Sequence, residues 1–193
     1  SYGDDKGIFG FGDTGSVTAV TNLVSNSGVV ASDTAGVGTA RNSLKACEYG
    51  DDKAIFGFGL TSWPNVQSVT NLVSNSGVVA SDTAGVGTAR YFPAACSYGG
   101  DKGIFGFGHD GSSQVSMTNL VSNAGVVASD TAGVGTVRST LAACEYGGDK
   151  GIFGYGTSPN TAITNLVSNV GVVASDTAGV GTARGYLAAC SFN

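Results

Sequence analysis

Apolar and polar residues alternate in short runs along this chain, and the runs return at a nearly constant spacing. An Ile-Phe-Gly motif begins at Ile8, Ile55, Ile104 and Ile152, at spacings of 47, 49 and 48 residues. A twelve-residue segment, 28–39, recurs identically as 77–88, 125–136 and 171–182. Self-similarity at a fixed period indicates a repeat architecture. We therefore expect four copies of one structural unit of about 48 residues.

The second unit shows which elements the pattern predicts. The predicted strands are 44–49, 55–59, 69–74 and 78–81. Glycine and aspartate in 50–53 favour a tight reversal between the first two strands. The two-residue period of a strand places Phe56 and Phe58 on one face of the sheet. The unit is predicted to be a four-stranded antiparallel meander, and the glycine-rich segment 82–90 connects it to the next.

A small sheet with two apolar faces must be covered, so the copies are expected to pack face to face. Radial packing of meanders gives a β-propeller, which leaves only short edges exposed. A linear β-solenoid is the competing arrangement. The predicted fold class is all-β, a β-propeller of four-stranded antiparallel blades forming one domain, 1–193. Its repeats are approximately 1–43, 44–92, 93–140 and 141–186, called repeats 1 to 4 below.

The two ends of the chain favour closure of the propeller ring. The chain starts inside the first hairpin, and residues 187–193 correspond to the opening strand that repeat 1 lacks. We expect this C-terminal strand to complete the first blade. Two chains joined into an eight-bladed ring, or an excerpt from a longer array, are the alternatives.

Composition limits the partners. The chain has 193 residues, 41% of them hydrophobic, with 32 glycines, 3 prolines and a net charge of −5. Because no basic stripe is present, nucleic acid is not an expected partner. The apolar runs are far shorter than the roughly 20 residues that a membrane span needs, so no membrane insertion is expected. The sequence has no signal-peptide pattern and leaves the compartment open.

Cysteine recurs at one equivalent position, within the predicted opening strand of successive units. These residues are Cys47, Cys96, Cys144 and Cys190. Equivalent positions in a ring of blades are expected to lie too far apart for disulfides. We interpret them as reduced, buried core residues. A site of four thiolates around an axis is the less favoured alternative, because no CxxC pair occurs. No metal and no cofactor are expected.

Aspartate and arginine recur at fixed places in every unit. These residues are Asp33, Arg41, Asp82, Arg90, Asp130, Arg138, Asp176 and Arg184. Arginine presents a planar fork that suits a carboxylate. We expect these charges to hold one blade against the next, with a ligand-facing ring of charges as the alternative.

The units differ mainly in the loops between the second and third strands, which should emerge on one face. Variable loops on a constant frame are a usual place for recognition. The candidate ligand-binding residues are Trp63, Asn65, His109, Asp110 and Asn160, whose types suit a glycan or a protein. Loop drift without function explains the same variation. The single histidine has no nucleophile motif beside it, so catalysis is not expected.

The residues Thr39-Ala40-Arg41, Leu44, Ala46-Cys47, Tyr49-Gly50 and the glycine-rich second strand resemble the kelch repeat, which forms β-propellers. The chain resembles still more closely the near-identical tandem arrays, with Asp-Lys-Gly-Ile-Phe-Gly and Thr-Asn-Leu-Val-Ser-Asn motifs, of predicted phage and other viral proteins, some tail-fibre-like. The resemblance implies a virion-associated or extracellular protein with a non-enzymatic binding or structural role. A purely structural spacer or self-associating filament subunit is the alternative, and a hydrolase is less favoured.

Overall fold

The computed structural model describes residues 1–192, and over this range the fold is all-β with no helix. Repeat 1 contains β1 (Gly7–Asp13) and β2 (Val17–Val24). Repeat 2 contains β3 (Lys45–Tyr49), β4 (Lys53–Gly57), β5 (Leu60–Ser62), β6 (Asn65–Val66) and β7 (Thr70–Val73). Repeat 3 contains β8 (Ala94–Tyr98), β9 (Lys102–Gly106) and β10 (Thr118–Val121). Repeat 4 contains β11 (Ala142–Tyr146), β12 (Lys150–Gly154) and β13 (Thr164–Val167).

Each of repeats 2 to 4 forms a small antiparallel meander. The sheet orders are β3-β4-β7, β8-β9-β10 and β11-β12-β13, while β1 pairs with β2 and β5 with β6. The predicted fourth strand pairs with the third only through isolated bridges, such as Val73 with Val79 and Thr70 with Thr83. The Asn71 side chain donates to the Ala80 carbonyl at 3.1 Å. Where the backbone pairing becomes irregular, the side-chain amide of Asn71 thus donates the hydrogen bond to the Ala80 carbonyl that a backbone amide would otherwise donate.

Successive sheets stack against each other through rings that lie over glycines. A Cβ built on Gly57 would lie 2.8 Å from Cζ of Phe105, and one on Gly106 would lie 2.8 Å from Cζ of Phe153. Real Cβ atoms do not approach so closely, so only glycine lets the next sheet come this near. The glycines of the second strand therefore set the spacing between repeats.

The two aromatic residues of the second strand face different neighbours, which corrects the expectation that they share a face. Phe56 packs edge-on against Phe11 of repeat 1, whereas Phe58 packs edge-on against Phe105 of repeat 3, both with centroids 5.2 Å apart. The cause is local. Phe58 has φ of 64°, in the left-handed region, so the two-residue alternation ends at Gly57.

Cys47, Cys96 and Cys144 lie on the strands that open the meanders, Cys190 lies in the unpaired tail, and the burial of each thiol depends on the next repeat. A Cβ built on Gly103 would lie 2.7 Å from Sγ of Cys47, so repeat 3 covers that thiol. Burial raises the pKa of Cys47 to about 12. All four cysteines are free, and Cys47 and Cys96 are buried. Cys144 is only half-buried and Cys190 is exposed, which corrects the expectation of four core residues. No further strand of the described chain covers them.

The expected closure of the first blade is not present in the described residues. The tail segment, 187–192, forms no strand and is mostly exposed, and Asn193 lies outside the described residues. Over residues 1–192, β1 pairs only with β2. The Tyr186 amide donates to the Thr140 carbonyl at 2.9 Å, just as Thr140 donates to Phe92. The tail therefore starts as the next opening segment after repeat 4, and residues 187–192 form no ladder with β1.

The opening strands of the repeats border one common groove. Alanine and cysteine side chains of β3, β8, β11 and the tail segment line it, together with Ser1 and Ile8. The side chains of adjacent opening strands also meet directly, since Ser97 donates to Glu145 at 2.9 Å. Over residues 1–192 the structure has no helix of the length and apolarity that a membrane span requires.

Candidate functional site: an aromatic strip on the loop face

The loops that join the second and third strands of repeats 2, 3 and 4 lie side by side. In repeat 2 this loop is the short hairpin of β5 and β6. Gly111 of the next loop lies against Val66 and Pro64. Gln114 donates from Nε2 to Oγ of Ser158 at 2.8 Å, which links the loops of repeats 3 and 4. The variable loops of repeats 2, 3 and 4 therefore form one continuous surface.

Three aromatic side chains from two repeats meet on this surface. The ring centroids of Trp63 and Tyr91 are 5.9 Å apart at an interplanar angle of 79°, and those of Trp63 and His109 are 6.4 Å apart at 64°. Tyr91 and His109 are 5.1 Å apart. Edge-on contacts of this kind are favourable between aromatic rings. They do not stack a ring onto the indole face, and Trp63 stays 62% exposed.

Backbone pairing brings Tyr91 and His109 together. The Tyr91 amide donates to the His109 carbonyl at 3.0 Å, and the His109 amide donates back at 2.9 Å. The Gly111 amide donates to Nδ1 of His109 at 3.0 Å, which fixes the imidazole in its turn. Main-chain bonds therefore position both residues, and the His109 ring itself accepts a hydrogen bond.

The aromatic surface continues across the face. The ring centroids of Tyr91 and Phe92 are 5.0 Å apart, and those of Phe92 and Tyr186 are 6.0 Å apart. Tyr186 is 77% exposed. Partial burial raises the pKa of Tyr91, and the neighbouring Tyr186 raises it further. We call Trp63, His109, Tyr91, Phe92 and Tyr186 the aromatic strip.

The other loop residues predicted from the sequence lie near the strip or apart from it. Asn65 is exposed beside Trp63 and donates to Oγ of Ser62 at 2.9 Å. Asp110 accepts the amides of Ser113 and Ser112, and these hydrogen bonds lower the pKa of Asp110. Asn160 is exposed in the loop of repeat 4. Among the described residues Asn160 has no hydrogen bond to the strip.

Three residues of the strip did not stand out from the sequence as site residues. Tyr91, Phe92 and Tyr186 occupy the second variable position of each unit, between Arg and the opening strand. The sequence did offer one signal for them. These positions are aromatic here but hold Asn42 or Ser139 in other copies. Their contact with the loop of the same face follows from backbone bridges that no sequence pattern indicates.

The repeated charges lie between the sheets, apart from this face. Arg90 is fully buried, donates from Nη2 to Oδ1 of Asn119 at 2.5 Å, and lies over the Phe58 ring at 3.9 Å from its centroid. Asp130 accepts the Thr88 amide at 2.9 Å, and its carboxylate is 3.8 Å from Nη1 of Arg90. The arginine of repeat 2 thus reaches the aspartate of repeat 3.

The same arrangement joins each repeat to the following one. The pairs across repeats are Arg41 with Asp82, Arg90 with Asp130, and Arg138 with Asp176. Burial lowers the pKa of each of these arginines to about 10. Burial would raise the pKa of Asp130, but hydrogen bonds from Thr88 and Asn119 outweigh it and hold that pKa below its usual value. Asp33 and Arg184 stand at the two ends of the series, and neither has such a partner in residues 1–192.

Metal ligands are not gathered anywhere in the described part of the chain. Within residues 1–192 no group of three or more His, Cys, Asp and Glu side chains is placed to hold a metal ion. Comparison of the chain with models of known protein families finds no matching family, and comparison with curated proteins finds no matching relative. The aromatic strip is therefore interpreted from its geometry.

Proposed function

We propose that this chain is a non-enzymatic binding module that recognises a carbohydrate through the aromatic strip. The repeats serve as blades of a propeller-like scaffold, and the loop face carries the variable residues. The resemblance to viral tandem arrays supports a virion-associated or extracellular role. The observation that carries the proposal is the exposed indole of Trp63, held edge-on by Tyr91 and His109.

The scaffold part of the proposal is supported by the common groove. In a propeller the innermost strand of every blade borders a shared centre, and here four successive opening segments border one groove. Each sheet is antiparallel and contains strands of one repeat alone. In a solenoid with parallel pairing between coils, the strand ladders would instead run from one repeat to the next. The irregular fourth segments then form the outer edges of the blades.

The ligand class is supported by the chemistry of the strip. Sugar rings offer apolar C–H faces that stack on aromatic rings, and hydroxyls that hydrogen-bond to amides and hydroxyls. The indole of Trp63 offers such a face, and Asn65 and Gln114 supply amide groups on the neighbouring loops. Binding sites of small ligands commonly combine aromatic lining with a few polar groups. The strip is open rather than enclosed, so binding of a single sugar is expected to be weak.

A catalytic role has less support from the site. His109 accepts a backbone amide at Nδ1, and in the described residues no serine or threonine hydroxyl is hydrogen-bonded to its ring. A nucleophile and its base are normally within hydrogen-bond reach. This arrangement favours a role of His109 in shaping the loop.

The test uses the fluorescence of the single tryptophan. A glycan array identifies binding sugars, and each one found is titrated into the protein while the emission of Trp63 is followed. Binding is expected to shift or quench that emission, since the sugar covers the exposed indole. On the array, Trp63→Ala and Tyr91→Ala are each expected to reduce binding at least tenfold, about 1.4 kcal/mol.

The control is Phe192→Ala, which removes an exposed aromatic ring outside the strip. This variant is expected to bind as the wild type does. Array binding that survives both Trp63→Ala and Tyr91→Ala would place the site elsewhere. An array without any bound glycan would rule out the carbohydrate, and a protein ligand would then be the remaining occupant of this face.

A further inference from the structure

The two ends of the array carry complementary halves of the interface that the chain forms three times internally. Phe9 of repeat 1 is 65% exposed, whereas its equivalents Phe56, Phe105 and Phe153 are buried. Each buried ring lies over a glycine of the preceding repeat. The equivalent glycine of repeat 4, Gly154, has only Cγ2 of Thr164 near the position of its absent Cβ, at 3.4 Å. Repeat 1 thus presents a ring without its glycine, and repeat 4 a glycine without its ring.

A second pair of half-contacts involves leucine and glycine. Gly77, Gly125 and Gly171 each lie against a leucine of the preceding repeat. Among the residues that the structure describes, none has an atom within 4 Å of the position of the absent Cβ of Gly28, leaving out its two chain neighbours, and Leu166 of repeat 4 is exposed. The two unmatched residues are the two halves of the same contact.

A third pair is charged, and the signs are complementary. On repeat 1, Asn22 donates to Asp33 at 2.8 Å, as Asn119 does to Asp130. At the other end, Arg184 lies over the Tyr155 ring at 4.3 Å and donates to the Thr182 carbonyl, as Arg138 does to that of Thr136. At the three internal junctions the equivalent arginine also donates to the asparagine of the next repeat, and the equivalent threonine donates to the aspartate of that next repeat. At the ends both halves are exposed to solvent.

The edge of β1 supplies a fourth pair. In repeat 2, β4 is paired on one side with β3 and on the other with β7. Within residues 1–192, β1 has only its β2 neighbour, so one edge of it is free for a further strand. The tail segment has the sequence of an opening strand and stays unpaired in residues 187–192. In the register of β3 with β4, Cys190 would stand opposite Ile8, as Cys47 stands opposite Ile55.

We propose that repeat 4 and the tail segment of one copy dock onto repeat 1 of a second copy, head to tail. The docked surface repeats the internal interface: Phe9 lies over Gly154, Leu166 over Gly28, and Arg184 reaches Asn22 and Asp33. The tail segment adds to β1 in the position that β3 takes beside β4, a case of strand addition to a sheet edge. A head-to-tail contact closes into a ring or grows into a filament, depending on the rotation between copies.

A second copy is the occupant because the surface needed is one that this chain itself carries. Every group that would cover the end of repeat 4 is present on repeat 1, in the same spacing that repeats 2, 3 and 4 use. Both end faces are open in one molecule, where Phe9 and Leu166 are exposed. The tail segment borders the same groove as Ile8, but residues 187–192 do not pair with β1. This inference is independent of the carbohydrate proposal, because the aromatic strip lies on the loop face and not on the end faces.

The first experiment measures mass against concentration by sedimentation, from about 1 μM to about 1 mM. The mass is expected to rise in multiples of 19.0 kDa. Phe9→Ala and Gly154→Val are each expected to weaken association at least tenfold. The first removes the docking ring, and the second places a side chain where that ring would lie. Circular dichroism checks that both variants keep the wild-type fold. Val78→Ala is the control and is expected to associate normally, because it trims an exposed side chain of repeat 2, at a position that is equally exposed in the other repeats.

The second experiment exchanges the charges. Asp33→Arg and Arg184→Asp each place like charges at the junction, so each variant by itself is expected to stay monomeric. An equal mixture of the two is expected to associate again, because each head then meets a tail of opposite charge. A general loss of folding in the variants would not be reversed by mixing.

The third readout is the thiol of Cys190. At low concentration it is expected to react readily with a maleimide, and at high concentration docking onto β1 should slow the reaction in parallel with the rise in mass. A constant mass of 19.0 kDa with full labelling at all concentrations would overturn the proposal. A constant mass with Cys190 protected at every dilution would also overturn it, in favour of closure within one chain. So would association that Phe9→Ala and Gly154→Val leave unchanged.

Discussion

The internal interfaces and the end faces contain the same residue types in very different surroundings. Phe105 and Phe9 occupy the same position of their repeats, yet the first is fully buried and the second mostly exposed. Arg90 and Arg184 differ in the same way. The difference shows that one repeat does not bury its own recurring residues, because half of each contact belongs to the neighbour. The repeated sequence encodes an interface more than it encodes an isolated sheet.

The largest expected effect tests the buried ring. In dilute solution Phe105→Ala is expected to lower the free energy of unfolding by about 4 kcal/mol, because it leaves a cavity between two sheets. Phe9→Ala removes the same ring from an exposed site and is expected to change stability by about 0.5 kcal/mol or less. Denaturant unfolding followed by circular dichroism measures both. Equal effects would mean that Phe9 is buried in solution.

The next effect concerns the buried guanidinium. Arg90→Ala is expected to cost about 3 kcal/mol, since it leaves Oδ1 of Asn119 without its charged donor and removes the contact with the Phe58 ring. Arg184→Ala is the matched change at the end of the array and should be close to neutral. Thermal melting of the two variants provides the measurement. An unchanged melting temperature for Arg90→Ala would contradict a stapling role.

A smaller effect is expected from adding one methyl group. Gly57→Ala places Cβ 2.8 Å from the Phe105 ring, and the buried ring can move only by shifting a packed sheet. The expected cost is about 2 kcal/mol, typical of overpacking. Gly154→Ala meets only Thr164, so it should be tolerated. If both alanine variants unfold at the same denaturant concentration, the contact with the Phe105 ring is not the reason that glycine is needed at position 57.

The smallest effect is the dependence on acid. Hydrogen bonds outweigh burial and lower the pKa of Asp82, Asp130 and Asp176 below the usual 3.8. Their stabilisation is therefore complete above that value and is lost as the pH falls below it, through the lowered pKa of the folded state. Unfolding at a series of pH values should show this loss, and Asp130→Asn should make it shallower. A stability that does not fall in acid would show that these carboxylates are not bonded between repeats.

Some features followed directly from the sequence. The period of about 48 residues, the antiparallel meander and its first three strands are local properties, set by runs of alternating residues and by glycine-rich turns. The grouping of the variable loops was a further expectation, and the structure places the loops of repeats 2, 3 and 4 side by side. Trp63 and His109 were both candidates from composition and position, and they lie within one aromatic strip.

Other features depended on contacts that a linear pattern does not contain. The opposite directions of Phe56 and Phe58 come from one left-handed residue, where a strand period no longer applies. The membership of Tyr91 in the site comes from a backbone bridge to the next repeat. The sequence predicted that the charges connect neighbouring blades, but it did not give the direction of the contact. The structure places the arginines of repeats 1 to 3 beside the aspartate of the following repeat.

The sequence by itself determined the unit, its repetition and the kinds of side chain that every junction uses. Only the tertiary structure decided how the units meet: that Arg90 reaches forward to Asp130, that residues 187–192 do not pair with β1, and that Phe9 and Gly154 are left unmatched. The physical reason is that a repeat fixes its own hydrogen bonds through local geometry. Burial, in contrast, is shared between two repeats and exists only where both are present.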